Sequence, residues 1–200
     1  MLASFIPGPV RSLLVAAEQI LIVPGLGGSD PDHWQTCWAG DNPGSEIVRQ
    51  RDWDHPDRQE WVSALDAAVR KAPGPVILVA HSLGCHTLAH WAERLPGRAQ
   101  HPAPVKAALL VAPPDIAYSA THGAEPIAGF GPPAARQLPF PALLAASRTD
   151  PWSSLDASRQ LADAWGAVFT DLGDYGHVNT NRGHGPWPEG ERLLHSLLAT

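Results

Sequence analysis

Short continuous apolar runs alternate along this chain with segments that have helical patterns. A continuous run of this kind is typical of a strand buried on both faces of a parallel sheet. Such runs occur at 20–23, 76–80, 106–111, 142–146 and 167–170, with a weaker strand candidate at 46–53. Helices are predicted at 30–38, 58–71, 83–95, 155–165 and 189–198. This order predicts an α/β domain with a mainly parallel sheet and right-handed crossovers.

Particular residues at helix ends, and one segment without periodicity, refine this picture. Asp30 is the expected N-cap of the first helix, with Pro31 in its first position. The Pro96-Gly97 pair is expected to end the third helix. The segment at 112–141 is rich in Pro, Gly and Ala and lies between two strands. We therefore expect it to form a small lid or specificity loop.

Length, composition and charge limit the class of protein. With 200 residues, 44% hydrophobic and 17% charged, the chain has the size and balance of one globular domain. We expect an N-terminal extension at 1–18 and a single domain at 19–200. The net charge of −6 argues against nucleic acid or an anionic membrane surface as the main partner. No apolar run is long enough to span a bilayer.

Two features bear on the cellular location. Residues 1–19 lack the pattern of a secretory signal, because Arg11 interrupts the stretch that would have to be apolar. The chain has only two cysteines, Cys37 and Cys85, which are too few for a disulfide framework. Both features predict a cytoplasmic location.

The most informative motif surrounds Ser82. The predicted strand at 76–80 leads into Ala80-His81-Ser82-Leu83-Gly84, and a predicted helix follows. A serine between small residues at a strand-to-helix turn is typical of a nucleophile elbow, which exposes the hydroxyl at the apex of the turn. Small residues are needed at Ala80 and Gly84 because a larger side chain would clash inside the turn. The competing interpretation is an ordinary turn in which Ser82 caps a helix.

A serine nucleophile needs a base that takes its proton and an acid that orients the base. In elbow-type hydrolases the acid and then the histidine follow the serine along the chain, near the ends of strands. Asp150, which follows the strand at 142–146, is the predicted acid, and Asp115 is the alternative. His177, which follows the last strand, is the predicted base, and His184 is the alternative.

The glycine-rich loop at 24–29 is expected to complete the site. Two backbone N–H groups are needed to bind an oxyanion, and we expect them to come from Leu26 and Leu83. The loop fits neither nucleotide-binding fingerprint, and no lysine follows it, so a phosphate-binding loop is disfavoured. Four side chains are expected to contact substrate, although aromatic packing is the competing interpretation. They are His33, Trp34, His81 and Trp152.

The predicted helix that follows Ser82 carries residues that could form a metal site or a second nucleophile. His86 and His90 have a spacing that can bind zinc, but no glutamate lies next to His86 and no third ligand is evident. We therefore expect no metal. Cys85 is expected to be a small buried residue rather than a second nucleophile.

Four blocks of sequence give the chain a resemblance to a known family. They are 23–29 with His33-Trp34-Gln35, 79–85, 147–152, and 165–190 with its Gly176-His177-Val178-Asn179 and Gly185-Pro186-Trp187-Pro188-Glu189-Gly190 motifs. Through these blocks the chain resembles the small YdeN-like serine hydrolases, a family that includes the retinoblastoma-binding-protein hydrolase. The resemblance implies a minimal α/β-hydrolase fold, a three-layer, doubly wound, mainly parallel sheet without a large cap domain. It also implies triad roles for Ser82, Asp150 and His177, but no particular substrate.

Together these features predict a serine hydrolase of the esterase or amidase type. It would cleave a small-molecule acyl ester or amide through an acyl-enzyme, without a cofactor. The alternative is a non-catalytic or weakly active protein-interaction module on a hydrolase scaffold. Acyl transfer or a haloperoxidase-like reaction on the same triad is a third hypothesis. Nucleic acid and membrane partners are not expected, and the sequence names no protein partner.

Overall fold

The computed structural model describes residues 18–95 and 104–199, which form one six-stranded sheet with helices on both faces. The strands are β1 (Gln19–Val23), β2 (Ser45–Ile47), β3 (Val76–His81), β4 (Val105–Val111), β5 (Ala142–Ala146) and β6 (Val168–Asp171). All of them pair in parallel, in the order β2-β1-β3-β4-β5-β6. The helices are α1 (Trp34–Asp41), α2 (Arg58–Lys71), α3 (Leu83–Glu93), α4 (Ile116–Thr121), α5 (Leu155–Trp165) and α6 (Pro188–Leu198). Two 3-10 helices cover Glu125–Phe130 and Thr180–Arg182.

The core has two apolar layers, one on each face of the sheet. One layer is formed with α2, α3 and α5, and the other with α1 and α6. Successive residues of β1 and β3 alternate between the layers, and every residue of β3 is buried. Burial on both faces is why these strands are continuous apolar runs. The predicted three-layer, doubly wound α/β fold is confirmed.

The predicted start of the first helix is wrong. Helix α1 begins at Trp34, and its N-cap is His33, whose Nδ1 accepts a hydrogen bond from the Gln35 N–H at 3.2 Å. The Asp30 carboxylate instead accepts from the Asp32 N–H at 3.0 Å, which closes a local turn. A short aspartate side chain serves equally well in a turn and at a helix end, so the Asp-Pro pair did not distinguish them.

The weaker strand candidate at 46–53 is mostly wrong, because β2 ends at Ile47. Beyond it, the carbonyl of Trp53 accepts a hydrogen bond from the Gly27 N–H at 2.9 Å, so this segment supports the glycine-rich loop instead of the sheet. The predicted extension falls, apart from Glu18, on residues outside the described ranges. The helix end predicted at Pro96-Gly97 also lies outside the described residues. Helix α3 ends at Glu93.

The segment expected to form a lid is a compact insertion. This segment at 112–141, which we call the lid insertion, contains α4 and the 3-10 helix Glu125–Phe130. Apolar side chains of the insertion, including Ile127 and Phe130, pack against Trp61 and Leu83. Within the described residues there is no larger cap over the sheet. In the same part of the chain, no helix has the length and apolar character needed to cross a membrane.

A close backbone contact positions the turn between β3 and α3. A Cβ added at Gly84 would lie 2.1 Å from the Val23 carbonyl oxygen and 2.7 Å from that of Pro24. Only glycine allows α3 to start this close to the end of β1. The residue at position 84 therefore fixes how near the loop after β1 can come to Ser82.

Two helical glycines provide a matched test of this contact. Gly84→Ala should lower the free energy of unfolding by about 2 kcal/mol or more, because a backbone oxygen cannot move aside. Gly40→Ala in α1 is the control, since a Cβ there meets nothing within 4 Å. It should be neutral or stabilise the protein by up to about 1 kcal/mol. Urea denaturation measures both values, and equal effects would show that the close contact does not constrain the fold.

Candidate active site

Ser82 lies at a strained turn between β3 and α3. Its backbone has φ 54° and ψ −128°, a region that non-glycine residues rarely adopt. The Ser82 N–H donates to the Val111 carbonyl at 2.9 Å, which ties the turn to the end of β4. The result is a half-buried hydroxyl at the carboxyl ends of the strands, where ligands bind in open α/β sheets.

The structure brings Ser82, His177 and Asp150 together in one hydrogen-bonded line. The Ser82 Oγ lies 2.9 Å from His177 Nε2, and His177 Nδ1 lies 3.0 and 2.9 Å from the two Asp150 carboxylate oxygens. A carboxylate can only accept, so Nδ1 carries the proton and Nε2 is left to accept from the serine hydroxyl. The side chains of Asp150 and His177 are 2% and 11% exposed, which shields the line from water.

The alternative acid and base lie outside this line. Asp115 Oδ1 accepts from the Tyr118 N–H at 3.1 Å and so caps α4. His184 Nε2 donates to the Tyr175 carbonyl at 3.1 Å, and its ring stacks on that of Tyr175 with a centroid distance of 4.8 Å. Each of the two side chains therefore has a local structural partner.

The loop after β1 runs directly past Ser82. A Cβ added at Gly25 would lie 2.7 Å from Ser82 Cβ and 3.0 Å from both Ser82 Oγ and the Leu83 nitrogen. Leu26 follows at once, and it borders the same cavity as Ser82 and Leu83. Neither the Leu26 nor the Leu83 N–H donates to any other residue described by the structure. The two amides are therefore available to a bound oxygen.

A buried glutamine holds this loop in place. Gln35 is fully buried, and its Oε1 accepts from Ser29 Oγ at 2.9 Å. Its Nε2 lies 3.3 Å from the Val79 carbonyl and 3.4 Å from that of Val23. One side chain thus joins the glycine-rich loop to the ends of β1 and β3. No local pattern distinguishes Gln35 as a functional residue, and its only signal in the sequence is its place in the His33-Trp34-Gln35 block.

The cavity beside Ser82 has a volume of about 300 Å³. Its walls include Leu26 and Leu83, Trp152 from the loop after β5, and Ala124 and Ile127 from the lid insertion. Among the described residues, no Asp, Glu, Lys or Arg lines it. An uncharged group can therefore enter without leaving an ionised side chain unpaired.

Of the four side chains expected to contact substrate, the structure places only Trp152 on this cavity. Trp34 is fully buried, and its indole N–H donates to the Val178 carbonyl at 2.9 Å. His81 Nε2 donates to the His177 carbonyl at 2.8 Å. His33 caps α1, and its ring lies 4.9 Å from that of His81. Sequence position next to a loop could not show that these rings face the core.

The backbone that carries His177 is fixed by side chains from other elements. Besides Trp34 and His81, Ser147 Oγ accepts from the Tyr175 N–H at 2.9 Å, and Thr149 Oγ1 accepts from the Gly176 N–H at 3.0 Å. Ser147 and Thr149 lie just before Asp150 in the chain, so one loop positions the histidine backbone and its carboxylate partner together. The sequence analysis missed both residues, for which proximity to Asp150 was the only signal.

Burial keeps the neighbouring histidines uncharged. It lowers the pKa of His33 to about 4 and that of His81 well below its ordinary value. The nearby charge of His177 lowers both pKa values further. The neutral His81 ring lies tilted by 54° against that of His177, with 4.9 Å between the centroids, and so does not repel an imidazolium that forms there.

The residues weighed for other chemistry have structural partners. His86 Nε2 donates to the Pro114 carbonyl at 2.8 Å, and His90 Nε2 to the Phe130 carbonyl at 2.9 Å. Burial raises the pKa of the Cys85 thiol, which disfavours the reactive thiolate. Across residues 18–95 and 104–199, no cluster of three or more His, Cys, Asp or Glu could hold a metal ion.

Comparisons with known proteins agree on one family. A family model described as serine hydrolase matches residues 20–196. The structure is similar to that of a YdeN-like hydrolase from Pectobacterium atrosepticum, with a TM-score of 0.77, 31% identity and 91% of each chain covered. It is also similar to the ydeN gene product of Bacillus subtilis, with a TM-score of 0.71, 21% identity, and 92% of this chain and 100% of that one covered.

A more distant likeness is to an esterase from Thermogutta terrifontis. Its butyrate-bound structure has a TM-score of 0.60 and 15% identity, over 93% of this chain and 85% of that one, and so shares the fold. No curated protein sequence matches the chain. The resemblance to YdeN-like hydrolases that the sequence blocks indicated is confirmed.

Buried neutral histidines make stability depend on pH. Histidines 33, 81 and 86 have folded-state pKa values below the ordinary 6.5, with those of His33 and His86 at about 4. Their contribution to the free energy of unfolding is complete above pH 6.5. It is lost as the pH falls from there towards 4, because only the unfolded chain takes up the protons. In this range each such histidine adds about 1.4 kcal/mol per pH unit to the slope of the free energy of unfolding against pH.

His86→Gln isolates one of these protons, since the amide can still donate to the Pro114 carbonyl. Urea unfolding between pH 6 and 4.5 should show a slope shallower than that of the wild type by up to about 1.4 kcal/mol per pH unit. An unchanged slope in His86→Gln would contradict the assignment.

Proposed function

The chain belongs to the serine hydrolase family, and on that premise we propose that it cleaves small acyl esters or amides with Ser82 as the nucleophile. The observation that carries the proposal is the hydrogen-bonded line from Ser82 Oγ through His177 to Asp150, at 2.9 Å and 2.9 to 3.0 Å. Such a line supplies a nucleophile, a base and the group that orients the base.

In the first half of the reaction, Ser82 Oγ attacks the acyl carbonyl while His177 Nε2 takes the hydroxyl proton. The carbonyl oxygen becomes an oxyanion, which accepts hydrogen bonds from the Leu26 and Leu83 N–H groups. Each donor of this kind lowers the barrier by about 3 kcal/mol. The tetrahedral intermediate then collapses to an acyl-enzyme, and His177 gives its proton to the departing alcohol or amine.

In the second half, water takes the place of the leaving group. His177 removes a proton from the water as it attacks the acyl carbonyl, and returns that proton to Ser82 Oγ when the acid departs. Asp150 holds the imidazole in the tautomer that leaves Nε2 free, and stabilises the imidazolium that forms in each half. All of these steps use groups of the chain itself.

The domain bounds and the cellular location are further parts of the proposal, and they rest on other observations. We propose one catalytic domain at 19–200, supported by the single sheet and by a family match that spans 20–196. We also propose a cytoplasmic location, supported by the two cysteines, Cys37 and Cys85, which are both free.

Labelling with a fluorescent fluorophosphonate tests the triad with matched variants. Ser82→Ala should abolish labelling, while His177→Gln and Asp150→Asn should slow it by about 100-fold or more, because the base is lost or held in the wrong tautomer. Asp115→Asn and His184→Gln make the same chemical changes at the alternative residues and should stay within about threefold of wild type.

The result separates the two classes of function. If a folded wild-type protein does not react with the probe, the hydrolase proposal is overturned and an interaction module on a hydrolase scaffold takes its place. If Asp115→Asn or His184→Gln slows labelling as much as its counterpart does, the assignment of acid or base is wrong.

His81 provides a second test because it positions His177 through a hydrogen bond to the His177 carbonyl. His81→Leu removes that donor and should slow labelling by about tenfold or more, as small displacements of catalytic groups do. His81→Gln keeps an N–H donor and should restore most of the rate. Equal losses in the two variants, at similar thermal stability, would assign His81 to packing alone.

A further inference from the structure

The cavity beside Ser82 has two chemically different walls. One wall is apolar and contiguous. Leu83, Ala124 and Ile127 belong to a single buried cluster, against which Leu26 and Trp152 pack. This wall comes from the loop after β1, the start of α3, the lid insertion and the loop after β5.

The other wall is polar and comes from the loop after β6. Asn179 and Asn181 border the cavity together with His177, which precedes them by two and four residues. Neither amide side chain makes a hydrogen bond to any other residue that the structure describes. Ser119 also borders the cavity, but its hydroxyl already donates to the Trp152 carbonyl at 2.8 Å.

The backbone that presents the two amides is held in place. Thr180, which lies between them, donates from Oγ1 to Asp30 Oδ2 at 2.6 Å. The Arg182 and His184 N–H groups both donate to the Asn179 carbonyl, at 3.1 and 3.3 Å. Two free amides on a fixed loop can bind a ligand at little cost in conformational entropy.

The direction of proton transfer assigns the two walls to the two halves of a substrate. His177 Nε2 gives its proton to the leaving group, so the leaving group must lie on the His177 side of Ser82. Asn179 and Asn181 follow His177 in the same loop and border the cavity together with it. The acyl group then lies along the apolar wall, where uncharged hydrocarbon is favoured.

We propose that Asn179 and Asn181 form a leaving-group subsite for a neutral hydroxylated alcohol, so that the substrate is an ester between a small apolar acyl group and a polyol. This inference rests on the proposed function. Each amide side chain offers both donors and an acceptor, which suits hydroxyl groups. No Asp, Glu, Lys or Arg among the described residues lines the cavity, so a leaving group with a permanent charge would enter without a counter-ion from these residues.

Two butyrate esters with three-carbon alcohols test the proposal. Glyceryl monobutyrate and propyl butyrate form the same butyryl-enzyme and differ only in the hydroxyls of the leaving group. The two alcohols also differ in intrinsic leaving-group ability, but that difference is the same in every variant. The change in the ratio of their kcat/KM values between wild type and a variant therefore reports the leaving-group subsite. Wild type should prefer the glyceryl ester by about tenfold or more, as hydrogen-bonding sites prefer substrates that satisfy them.

Substitutions on each wall should act on different properties. Asn179→Leu and Asn181→Leu keep similar side-chain size but remove the hydrogen bonds, and together should lower the glyceryl-to-propyl ratio by about tenfold. Ile127→Ala, on the apolar wall, is the matched control, since it should shift the preferred acyl-chain length and leave the glyceryl-to-propyl ratio at the wild-type value.

Failure of this proposal is distinguishable from failure of the proposed function. A wild-type protein that reacts with the fluorophosphonate but shows a ratio near one, or hydrolyses neither ester, overturns the polyol subsite and keeps the hydrolase. A ratio that persists in the double asparagine variant also overturns it. A wild-type protein that neither labels nor hydrolyses either ester overturns both.

Discussion

The site depends on a close steric contact between two stretches of backbone. The start of α3 lies against the end of β1 because position 84 has no Cβ, and the glycine-rich loop passes Ser82 because position 25 has none. Backbone atoms cannot rotate away as side chains can, so this contact fixes the serine and both candidate oxyanion donors relative to one another. The unusual φ of Ser82 is maintained by the same packing and by its hydrogen bond to the end of β4.

Side chains then extend this fixed geometry to the histidine and the carboxylate, which come from the loops after β6 and β5. Trp34 and His81 each donate to a carbonyl of the histidine loop, and Ser147 and Thr149 each accept from one of its N–H groups. These bonds satisfy buried backbone groups in a loop that has no ladder of its own. The core and the acid's loop therefore hold the base in place, in addition to the bonds within the loop that carries it.

The site also has a defined distribution of charged, polar and apolar groups. Burial lowers the pKa values of His33 and His81, so the two histidines nearest the base are neutral at neutral pH. Apolar side chains of the lid insertion and the two asparagines that follow His177 border the same cavity. A small insertion of two short helices is enough to form this wall, so the minimal fold encloses a pocket without a separate cap domain.

The apolar pattern and the motifs of the sequence predicted most of the sheet, most helix boundaries and the chemical types at the site. Helix α2 and strand β5 lie where the apolar pattern predicted them, because that pattern reports burial directly. Chain order and strand ends also pointed to Ser82, Asp150 and His177.

Where a local sequence signal had two possible meanings, the packing of the elements resolved it. Asp30 closes a turn and does not cap α1. Trp34 and His81 face the core, where they bind loop carbonyls from residues 177 and 178. Gln35, Ser147, Thr149 and the two asparagines acquire their roles from partners distant in the sequence or from the cavity they border. Such contacts depend on how elements pack in three dimensions, which local periodicity and spacing do not encode.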